Sequence, residues 1–285
     1  MGLEIQLGEA IAQARKSAGL TQQQLCARTN LSYSTLAKIE RGAIKSPSAI
    51  TVATIAKATN TTVESLVGLL NVQVSTKKYH TSSTGISYVF FDVNGVMVHF
   101  FQRAFTRIAE QHGVTPDAVE SAFWHYNDDV CRGSTKLAKF NDYLAAAIGA
   151  PSIDWAEAYL SSIDAVTELQ ALAAWVSEHY KIGLMTNIMP GFIDAMLKRG
   201  ILPQLPYQSI IESCKVGAVK PELAMSQAAA AAAGVDPEQI LLIDDDRSNL
   251  MAAERLGWHV LWFDDFSPSS SVDRLKQLLD YDLLN

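Results

Sequence analysis

The stretch FFDVNGVMVHF, residues 90–100, decides the fold of most of this chain. An apolar run delivers one aspartate, Asp92, to a turn where Gly95 allows the backbone to bend sharply. Helical stretches separate this run from further apolar, β-rich runs at residues 181–187, 209–211, 240–246 and 259–263. Strands that alternate with helices predict a parallel sheet with helices on both faces. We therefore expect Asp92 at the carboxyl end of a buried strand.

The sequence pattern changes along the chain and predicts two domains, one helical and one α/β. Residues 1–70 read as five short helices with tight turns, which predicts a compact bundle. Residues 71–86 lack periodicity and are rich in Ser and Thr, so we predict a linker. Residues 87–268 predict a Rossmann-like α/β domain, with a helical insertion at about 99–178, where no strand is predicted. Residues 269–285 predict a closing helix.

Charge and cysteine content limit the class of protein. The chain of 285 residues has a net charge of −7, yet residues 1–70 carry seven Lys or Arg against four Glu. The acidic remainder and the basic front are expected to meet different partners. Cys26, Cys131 and Cys214 lie far apart, with no spacing typical of a disulfide framework or a zinc site. We see no apolar leader and no membrane-length apolar run, and we expect a cytoplasmic protein without membrane contact.

The segment LTQQQLCARTNLSYSTLAKIERG, residues 20–42, resembles the helix-turn-helix of the Cro/C1 (XRE) repressor family, and the likeness covers about residues 5–70. A recognition helix presents small or polar side chains at its first turn, because that turn enters the major groove of DNA. The side chains in this part of the helix belong to Tyr33, Ser34, Thr35 and Lys38. The resemblance implies that Tyr33, Ser34 and Lys38 face base edges of a double-stranded DNA operator.

The same resemblance implies contacts to the DNA backbone and one structural ion pair. Gln22, Arg41 and Lys45 are expected at phosphates. Glu40 is expected to pair with Arg15 instead of facing DNA. Members of this family usually act as dimers, so we expect a homodimer. The alternative is a helical bundle used for protein docking, as in some antitoxins.

Four stretches within residues 87–265 resemble, in order, the motifs of the haloacid dehalogenase superfamily, which consists mostly of phosphatases. Each stretch lies at the end of a predicted strand or just beyond one, and parallel sheets bind ligands at that edge. The motif residues are Asp92 in FFDVNGV, Thr186 in LMTN, Lys220 in VGAVKP, and Asp244 and Asp245 in LLIDDDRSN.

The superfamily resemblance implies a role for each motif residue. Asp92 is the expected nucleophile toward phosphorus. A carboxylate attacks phosphate only when the negative charge of the phosphate is neutralised, and Lys220 is expected to contribute to that. Thr186 is expected to donate a hydrogen bond to the phosphoryl oxygens. These residues would form a site for a phosphorylated small molecule.

A magnesium ion is the cofactor that the resemblance implies. Mg²⁺ is a hard cation that prefers oxygen ligands. The implied ligands are the carboxylates of Asp92 and Asp245 and the backbone carbonyl of Asn94. Asp244 and Asn249 are expected to support these ligands from behind.

Asn94 is the departure from the phosphatase pattern. Phosphatases of this superfamily have an aspartate here, which protonates the leaving group and later activates water. An amide does neither at working pH, and the loss of a positioned acid or base costs about 10²–10⁴ in rate. The backbone carbonyl is retained, so metal and phosphate binding can persist. Branches of the superfamily with glycine here still hydrolyse phosphate esters, which leaves slow turnover open.

The insertion at about 99–178 resembles the small helical cap of this superfamily. Within it, the segment FWHYNDDVCRGS, residues 123–134, resembles the part of the cap that closes over the site. Trp124, His125 and Arg132 are its candidates for substrate contact, and packing or surface roles are the alternative.

Three functions fit these observations. The first is a transcriptional regulator whose α/β domain senses a phosphorylated ligand or supplies the dimer interface. The second is an active phosphatase with a DNA-binding appendage, and an adaptor that binds protein through both domains is a third, weaker reading. Fusion to a DNA-reading domain and loss of the proton-transfer acid both favour the regulator.

Overall fold

The computed structural model describes residues 3–44, 47–66 and 79–284. The chain divides into two compact units, residues 1–77 and residues 78–285, which we call the front unit and the back unit. Among the described residues, no helix has both the length and the apolar character that a bilayer-spanning segment needs.

Five short helices make up the described part of the front unit, which confirms the predicted helical bundle. They are α1 (Leu3–Ser17), α2 (Gln22–Thr29), α3 (Tyr33–Glu40), α4 (Ala49–Ala58) and α5 (Val63–Leu66). Thr21, Ser32 and Ser48 cap the starts of α2, α3 and α4, because each side-chain oxygen accepts an N–H from the first turn. The turn between α2 and α3 begins at Asn30, whose φ of 55° reverses the chain. Helices α2 and α3 therefore form a helix-turn-helix.

A buried ion pair ties α1 to the end of α3. Arg15 Nε donates to Glu40 Oε1 at 2.7 Å, and Arg15 Nη2 donates to Glu40 Oε2 at 2.9 Å. Burial alone would raise the pKa of Glu40, but hydrogen bonds from Arg15 and Gln22 outweigh it and hold that pKa below its usual value. The predicted pairing of Arg15 with Glu40 is confirmed.

A five-stranded parallel sheet forms the centre of the back unit, in the order β3-β2-β1-β4-β5. The strands are β1 (Tyr88–Phe91), β2 (Lys181–Thr186), β3 (Ser209–Glu212), β4 (Ile240–Asp244) and β5 (His259–Trp262). Each coincides with an apolar run in the sequence, because a parallel sheet is buried on both faces. The predicted Rossmann-like α/β fold is confirmed.

The register of the sheet brings the motif residues to one edge. Phe91, the last residue of β1, pairs with Leu184 of β2 and with Ile243 of β4. The carboxyl ends of these three neighbouring strands are therefore nearly level. Asp92 follows β1 directly, and the motif residues of β2 and β4 close their strands.

Eleven α-helices surround the sheet among the described residues of the back unit. Four form an insertion after β1: α6 (Gln102–His112), α7 (Pro116–Cys131), α8 (Leu137–Ile148) and α9 (Trp155–Leu160). The others are α10 (Thr167–His179), α11 (Phe192–Arg199), α12 (Ser213–Val216), α13 (Leu223–Ala233), α14 (Arg247–Glu254), α15 (Pro268–Leu278) and α16 (Tyr281–Leu284).

Aromatic packing holds the insertion together. Phe123 lies 4.5 Å from Trp155 and 5.4 Å from Phe101, measured between ring centroids. Phe105 and Phe140 complete the cluster at similar distances. Buried aromatic pairs of this kind contribute about 0.5–1.5 kcal/mol each beyond area burial. A small cap without a sheet of its own thus has a rigid core.

Three predicted boundaries differ from the structure. The cap was expected to reach residue 178, but α10 packs against β2 and α15, so the insertion ends before it. Residues 79–86 of the predicted linker lie on the back unit, where Ser83 donates to Asp280; residues 71–78 are outside the described part. The closing helix is two helices, because Asp280 has a φ of 53° and interrupts it.

Candidate functional site

A chain of buried ion pairs forms the floor of the site at the carboxyl edge of the sheet. Lys220 Nζ lies 2.8 Å from Asp92 Oδ2 and 2.6 Å from Asp244 Oδ2. Asp244 is held in turn by Asn249, whose Nδ2 donates to its second oxygen at 3.0 Å. Burial on its own would lower the pKa of Lys220, but the two carboxylates raise it above the usual value. The ammonium group therefore stays charged.

Asp245 adds a third carboxylate to this floor. One oxygen from each of Asp92, Asp244 and Asp245 lies within 4.8 Å of the others. Burial, reinforced by the neighbouring carboxylates, raises the pKa of Asp245 to about 7 and that of Asp92 to about 6. Gly95 makes room for this arrangement, because a Cβ there would lie 2.1 Å from Asp245 Oδ2.

The donor set fits a magnesium ion. Two of the three carboxylates pair with the single ammonium group and the third does not, so the floor has an excess of negative charge that a divalent cation would neutralise. All the donors are hard oxygens, which Mg²⁺ prefers. Asp244 is already engaged by Lys220 and Asn249. The carboxylates of Asp92, which Lys220 also contacts, and of Asp245 line the cavity, whereas Asp244 does not, so these two are the ones placed to bind the cation.

Thr186 ends β2 beside this floor. Its side chain is fully buried, and among the described residues its Oγ1 has no hydrogen-bond partner. A buried hydroxyl without a hydrogen-bond partner destabilises a fold by about 1–3 kcal/mol, unless a bound ligand supplies the partner. The next residue, Asn187, accepts from the Lys220 N–H at 2.6 Å and donates to the Lys220 carbonyl at 3.0 Å. Asn187 therefore fixes the backbone that carries the lysine.

Asn94 is held by a tyrosine of the insertion. The hydroxyl of Tyr159, on α9, donates to Asn94 Oδ1 at 2.5 Å. Tyr159 is buried, and Phe101 and Phe192 lie against its ring at centroid distances of 5.3 Å and 4.9 Å. Burial raises the pKa of Tyr159 above its usual value, so the phenol stays protonated. The amide carbonyl of Asn94 is thus occupied, and its NH₂ group is left for the cavity.

A cavity of about 220 Å³ opens above the floor, between the sheet edge and the insertion. Its floor residues are Asp92, Asn94, Asn187, Lys220, Asp245, Asp246 and Asn249. The insertion and the segments next to it supply a largely aromatic wall: Phe100, Phe101, Phe123, Trp124, Asn127, Asp128, Cys131, Trp155, Tyr159, Ile188, Met189 and Phe192. A cavity of this size holds a phosphoryl group with a small organic part.

The three cap candidates have different positions. Trp124 lines the cavity and is half exposed. His125 is not part of the cavity wall. Arg132 forms an ion pair with Glu222 at the edge of the insertion and is not part of the wall either. Lys220 is consequently the only cation among the described residues that line the cavity.

The sequence alone did not identify Tyr159 or Asn187. Tyr159 lies 65 residues from Asn94, within a short apolar helix that reads as ordinary core. Asn187 directly follows Thr186, and its place in the second motif was a usable signal.

In the front unit, α3 presents the residues expected to read DNA. Tyr33, Ser34 and Lys38 are exposed on this helix, while Leu36 and Ile39 are buried on the opposite side. Thr35 is half buried and its hydroxyl bonds to the capping Ser32 at 2.8 Å. Of the candidates, Thr35 is therefore the least available to a ligand.

The residues expected at DNA phosphates differ in how free they are. Gln22 is half buried and donates from Nε2 to Glu40 Oε2 at 2.8 Å, so its side-chain amide is engaged. Arg41 is exposed at the end of α3, and its Nε donates to the Ala37 carbonyl at 3.0 Å. Lys45 lies outside the described residues.

The family model described as haloacid dehalogenase-like hydrolase matches residues 86–257, more than half of the chain. The chain belongs to the haloacid dehalogenase-like hydrolase family. A second model, described as helix-turn-helix, matches residues 11–66. The chain is therefore a fusion of a helix-turn-helix domain with a hydrolase-family domain.

Solved structures of the same family share the fold of the back unit. A predicted HAD-like family hydrolase from Porphyromonas gingivalis has a TM-score of 0.57 at 24% identity, over 67% of this chain and 97% of that one. A variant of a HAD family enzyme from Bacteroides thetaiotaomicron, in complex with magnesium and inorganic phosphate, has a TM-score of 0.53 at 22% identity, over 63% and 94%. At these identities the likeness establishes the fold alone.

A curated relative matches the chain over part of its length. Acyl-CoA dehydrogenase family member 10 of Mus musculus is 24% identical over 217 residues, which are 71% of this chain and 20% of that protein. The chain thus spans about a fifth of the length of this relative.

Proposed function

We propose that this protein is a sequence-specific DNA-binding transcriptional regulator whose back unit binds Mg²⁺ and a phosphoryl group as a sensor. The observation that carries the proposal is the amide of Asn94, held by Tyr159 at the position where the phosphatases have their acid. A site that recognises phosphate without the group for rapid turnover is suited to sensing.

The front unit supports the DNA-binding half of the proposal. Tyr33, Ser34 and Lys38 project from the recognition helix of a helix-turn-helix, and we assign them to base edges. We assign Arg41, Lys45 and the start of α2 at Gln22 to phosphates. We also propose that the protein acts in the cytoplasm as a homodimer on a two-fold operator.

The back unit supports the sensing half. We propose Asp92, Asp245 and the backbone carbonyl of Asn94 as the magnesium ligands, supported by Asp244 and Asn249. When bound, the ion would offset the negative charge of both the carboxylates and the phosphate. We propose that the unpaired hydroxyl of Thr186 donates a hydrogen bond to a phosphoryl oxygen, and that the positive charge of Lys220 attracts the anionic ligand. The related enzyme from Bacteroides thetaiotaomicron binds magnesium and phosphate together, which is consistent with this assignment.

We propose a DNA-binding domain at residues 1–70, a linker that begins at residue 71, and a HAD-like domain at residues 87–268. A ligand changes DNA affinity only if it binds one state of the protein better than another. Sensing therefore requires that occupancy of the cavity alter the front unit or the dimer.

The test is operator affinity as a function of ligand. An operator is selected from a random duplex pool, and its affinity is measured with and without MgCl₂, sugar phosphates and nucleotides. We expect one phosphorylated compound to change the affinity by about 5–150-fold. An affinity that no compound changes would refute sensing and leave the back unit as a dimerisation module.

A slow phosphatase is the second candidate, and the intact set of Asp92, Lys220 and Thr186 favours it. Hydrolysis of a generic phosphate ester distinguishes the two. Substantial activity of the natural chain, lost in Asp92→Asn, would favour the enzyme.

A further inference from the structure

The contact between Tyr159 and Asn94 leaves residue 94 without a group that can transfer a proton to or from a ligand. The phenol donates to Asn94 Oδ1, so the group that Asn94 presents to the cavity is an amide NH₂. An amide donates hydrogen bonds but neither gives up nor takes a proton at working pH. Phosphoryl transfer within this cavity must therefore proceed without a proton at residue 94, both when a leaving group departs and when water attacks.

We propose that Asp92 takes a phosphoryl group from small acyl phosphates and retains it as a long-lived aspartyl-phosphate that controls DNA binding. This inference rests on the proposed function and adds the donor class and the form of the signal. The signal is then a covalent mark on the protein, and it outlasts the donor.

The donor class follows from the leaving group. Asp92 forms a bond to phosphorus while the bond between phosphorus and the acyl oxygen breaks, and the electron pair leaves with a carboxylate. The parent acid of that carboxylate has a pKa of about 4, so it departs without a proton. An alkyl phosphate would release an alkoxide, which is about as basic as hydroxide and needs an acid that Asn94 does not provide.

The remaining parts of the site suit transfer from such a donor. Phosphoryl transfer depends mainly on positioning and on compensation of charge on the equatorial oxygens. Lys220, 2.8 Å from Asp92 Oδ2, and the unpaired hydroxyl of Thr186 supply these functions. The cavity of about 220 Å³ is smaller than the roughly 300–1,000 Å³ typical of larger ligands. It accommodates a small donor.

The persistence of the mark follows from the second half of the reaction. Hydrolysis requires water to attack phosphorus, the bond to Asp92 to break, and one proton of the water to pass to a base. The amide of Asn94 does not accept it, and the phenol of Tyr159 is already a donor to that amide. Loss of a positioned base slows such a step by about 10²–10⁴.

Asp128 is a carboxylate on the cavity wall that could accept the proton of the attacking water. Unlike Asp245, it belongs to α7 on the cap side of the cavity, and it is exposed. Asp246, one of the floor residues, accepts hydrogen bonds from the Ser248 N–H and hydroxyl as the cap of α14. The experiment therefore includes Asp128→Asn.

The test uses the full chain with MgCl₂ and acetyl phosphate, with glycerol 3-phosphate as the alkyl comparison. Intact-protein mass detects the adduct, and its decay is followed after the donor is removed. We expect one phosphoryl group per chain from acetyl phosphate, none from glycerol 3-phosphate and none on Asp92→Asn. We expect the adduct of Asn94→Asp to decay about 10²–10⁴ faster. Operator affinity of the phosphorylated chain should differ from that of the unmodified chain by about 5–150-fold.

Three results would overturn the proposal. The first is that acetyl phosphate forms no adduct, although MgCl₂ and inorganic phosphate still stabilise the same preparation against heat. That result would leave the proposed phosphate sensor intact. Another is continuous release of phosphate by the natural chain without an adduct, particularly if Asp128→Asn stops the release. The third is an adduct that leaves operator affinity unchanged. Absence of both the adduct and the stabilisation would refute the proposed phosphate site itself.

Discussion

The front and back units both bury charged side chains, and they do so in opposite ways. In the front unit, one guanidinium meets one carboxylate, and Arg15 and Glu40 satisfy each other through two hydrogen bonds. In the back unit, the ammonium of Lys220 pairs with Asp92 and Asp244, and Asp245 adds a third carboxylate at the floor of a cavity. The first arrangement is balanced and the second is not.

The difference separates a structural ion pair from a proposed binding site. A buried pair with matched charges needs nothing further, and it fixes how α1 meets α3. An excess of buried carboxylate destabilises the fold unless a cation is present, and protein sites accept such a cost where it has a function. The unbalanced cluster, more than any single motif residue, is the reason we propose the back unit as a place for a cation and an anionic ligand.

The largest expected effect concerns proton transfer at residue 94. Asn94→Asp restores a carboxyl group at that position, and we expect hydrolysis of a generic phosphate ester to increase about 10²–10⁴-fold. Steady-state release of inorganic phosphate measures it, with Asp92→Asn in the same background as the inactive control. An unchanged rate would mean that the amide is not what limits turnover.

Tyr159→Phe in the Asn94→Asp background tests the tyrosine contact. The phenol would stabilise the charged form of the new carboxyl group, so its removal raises the pKa of that group. We expect the alkaline limb of the pH–rate profile to move to higher pH. A profile that keeps its position would show that Tyr159 does not act on residue 94.

The balanced pair of the front unit predicts the next effect in size. Arg15→Met leaves Glu40 buried without its cation, and we expect a loss of about 3–5 kcal/mol in the unfolding free energy of the front unit. The matched control, Arg15→Met with Glu40→Leu, should lose far less. All five tryptophans lie in the back unit, so urea unfolding followed by both circular dichroism and tryptophan fluorescence separates the two units. Equal losses in the two variants would contradict the assignment.

The exposed face of α3 predicts an effect on DNA recognition. Lys38→Ala should reduce discrimination among operator variants by about 1–3 kcal/mol at the contacted base pair. The control is Lys57→Ala on α4, which removes the same charge from another exposed helix. Competition binding at fixed salt is the measurement. Full discrimination by the Lys38→Ala protein would exclude this lysine from base reading.

The smallest expected effect is a pair of opposite pH dependences in chelator-treated protein. The pKa of Glu40 is lowered in the folded state, so its contribution to stability is present above the unfolded pKa and is lost as pH falls. The pKa of Asp245 is raised to about 7, so the folded state binds its proton more tightly. That contribution is present below the unfolded pKa of about 3.9 and is lost as pH rises toward 7.

Two isosteric variants isolate these contributions. Relative to Glu40→Gln, the wild type should lose stability on acidification. Relative to Asp245→Asn, it should lose stability from about pH 4 to pH 7, and added Mg²⁺ should abolish that loss. If the contributions of Glu40 and Asp245 to stability changed in the same direction with pH, the contrast between the two units would be wrong.

Much of this architecture was predictable because the sheet is buried on both faces. Burial on both faces makes each strand a continuous apolar run, and Asp92, Thr186 and Asp244 stand at the ends of such runs. The Arg15–Glu40 pair followed from the resemblance, and hydrogen-bond geometry bears it out.

The cap side of the site was harder to predict, because tertiary packing alone brings it to the sheet edge. Tyr159 reaches Asn94 only once the aromatic core of the insertion has formed. Arg132 was a candidate for substrate contact, with a packing or surface role as the alternative, and Glu222, 90 residues away, takes its guanidinium. The local sequence pattern predicts helices and strands, but it does not predict contacts between residues that are far apart in the chain.

We propose above all that the unbalanced carboxylates of the back unit hold a cation and a phosphoryl group together. Crystals grown with MgCl₂ and inorganic phosphate would show both ligands. We expect a metal ion bound by Asp92 and Asp245, a phosphate oxygen within hydrogen-bond distance of Thr186 Oγ1, and Tyr159 still bonded to Asn94. A cavity that contains only water under those conditions, or Asp245 turned outward, would contradict it.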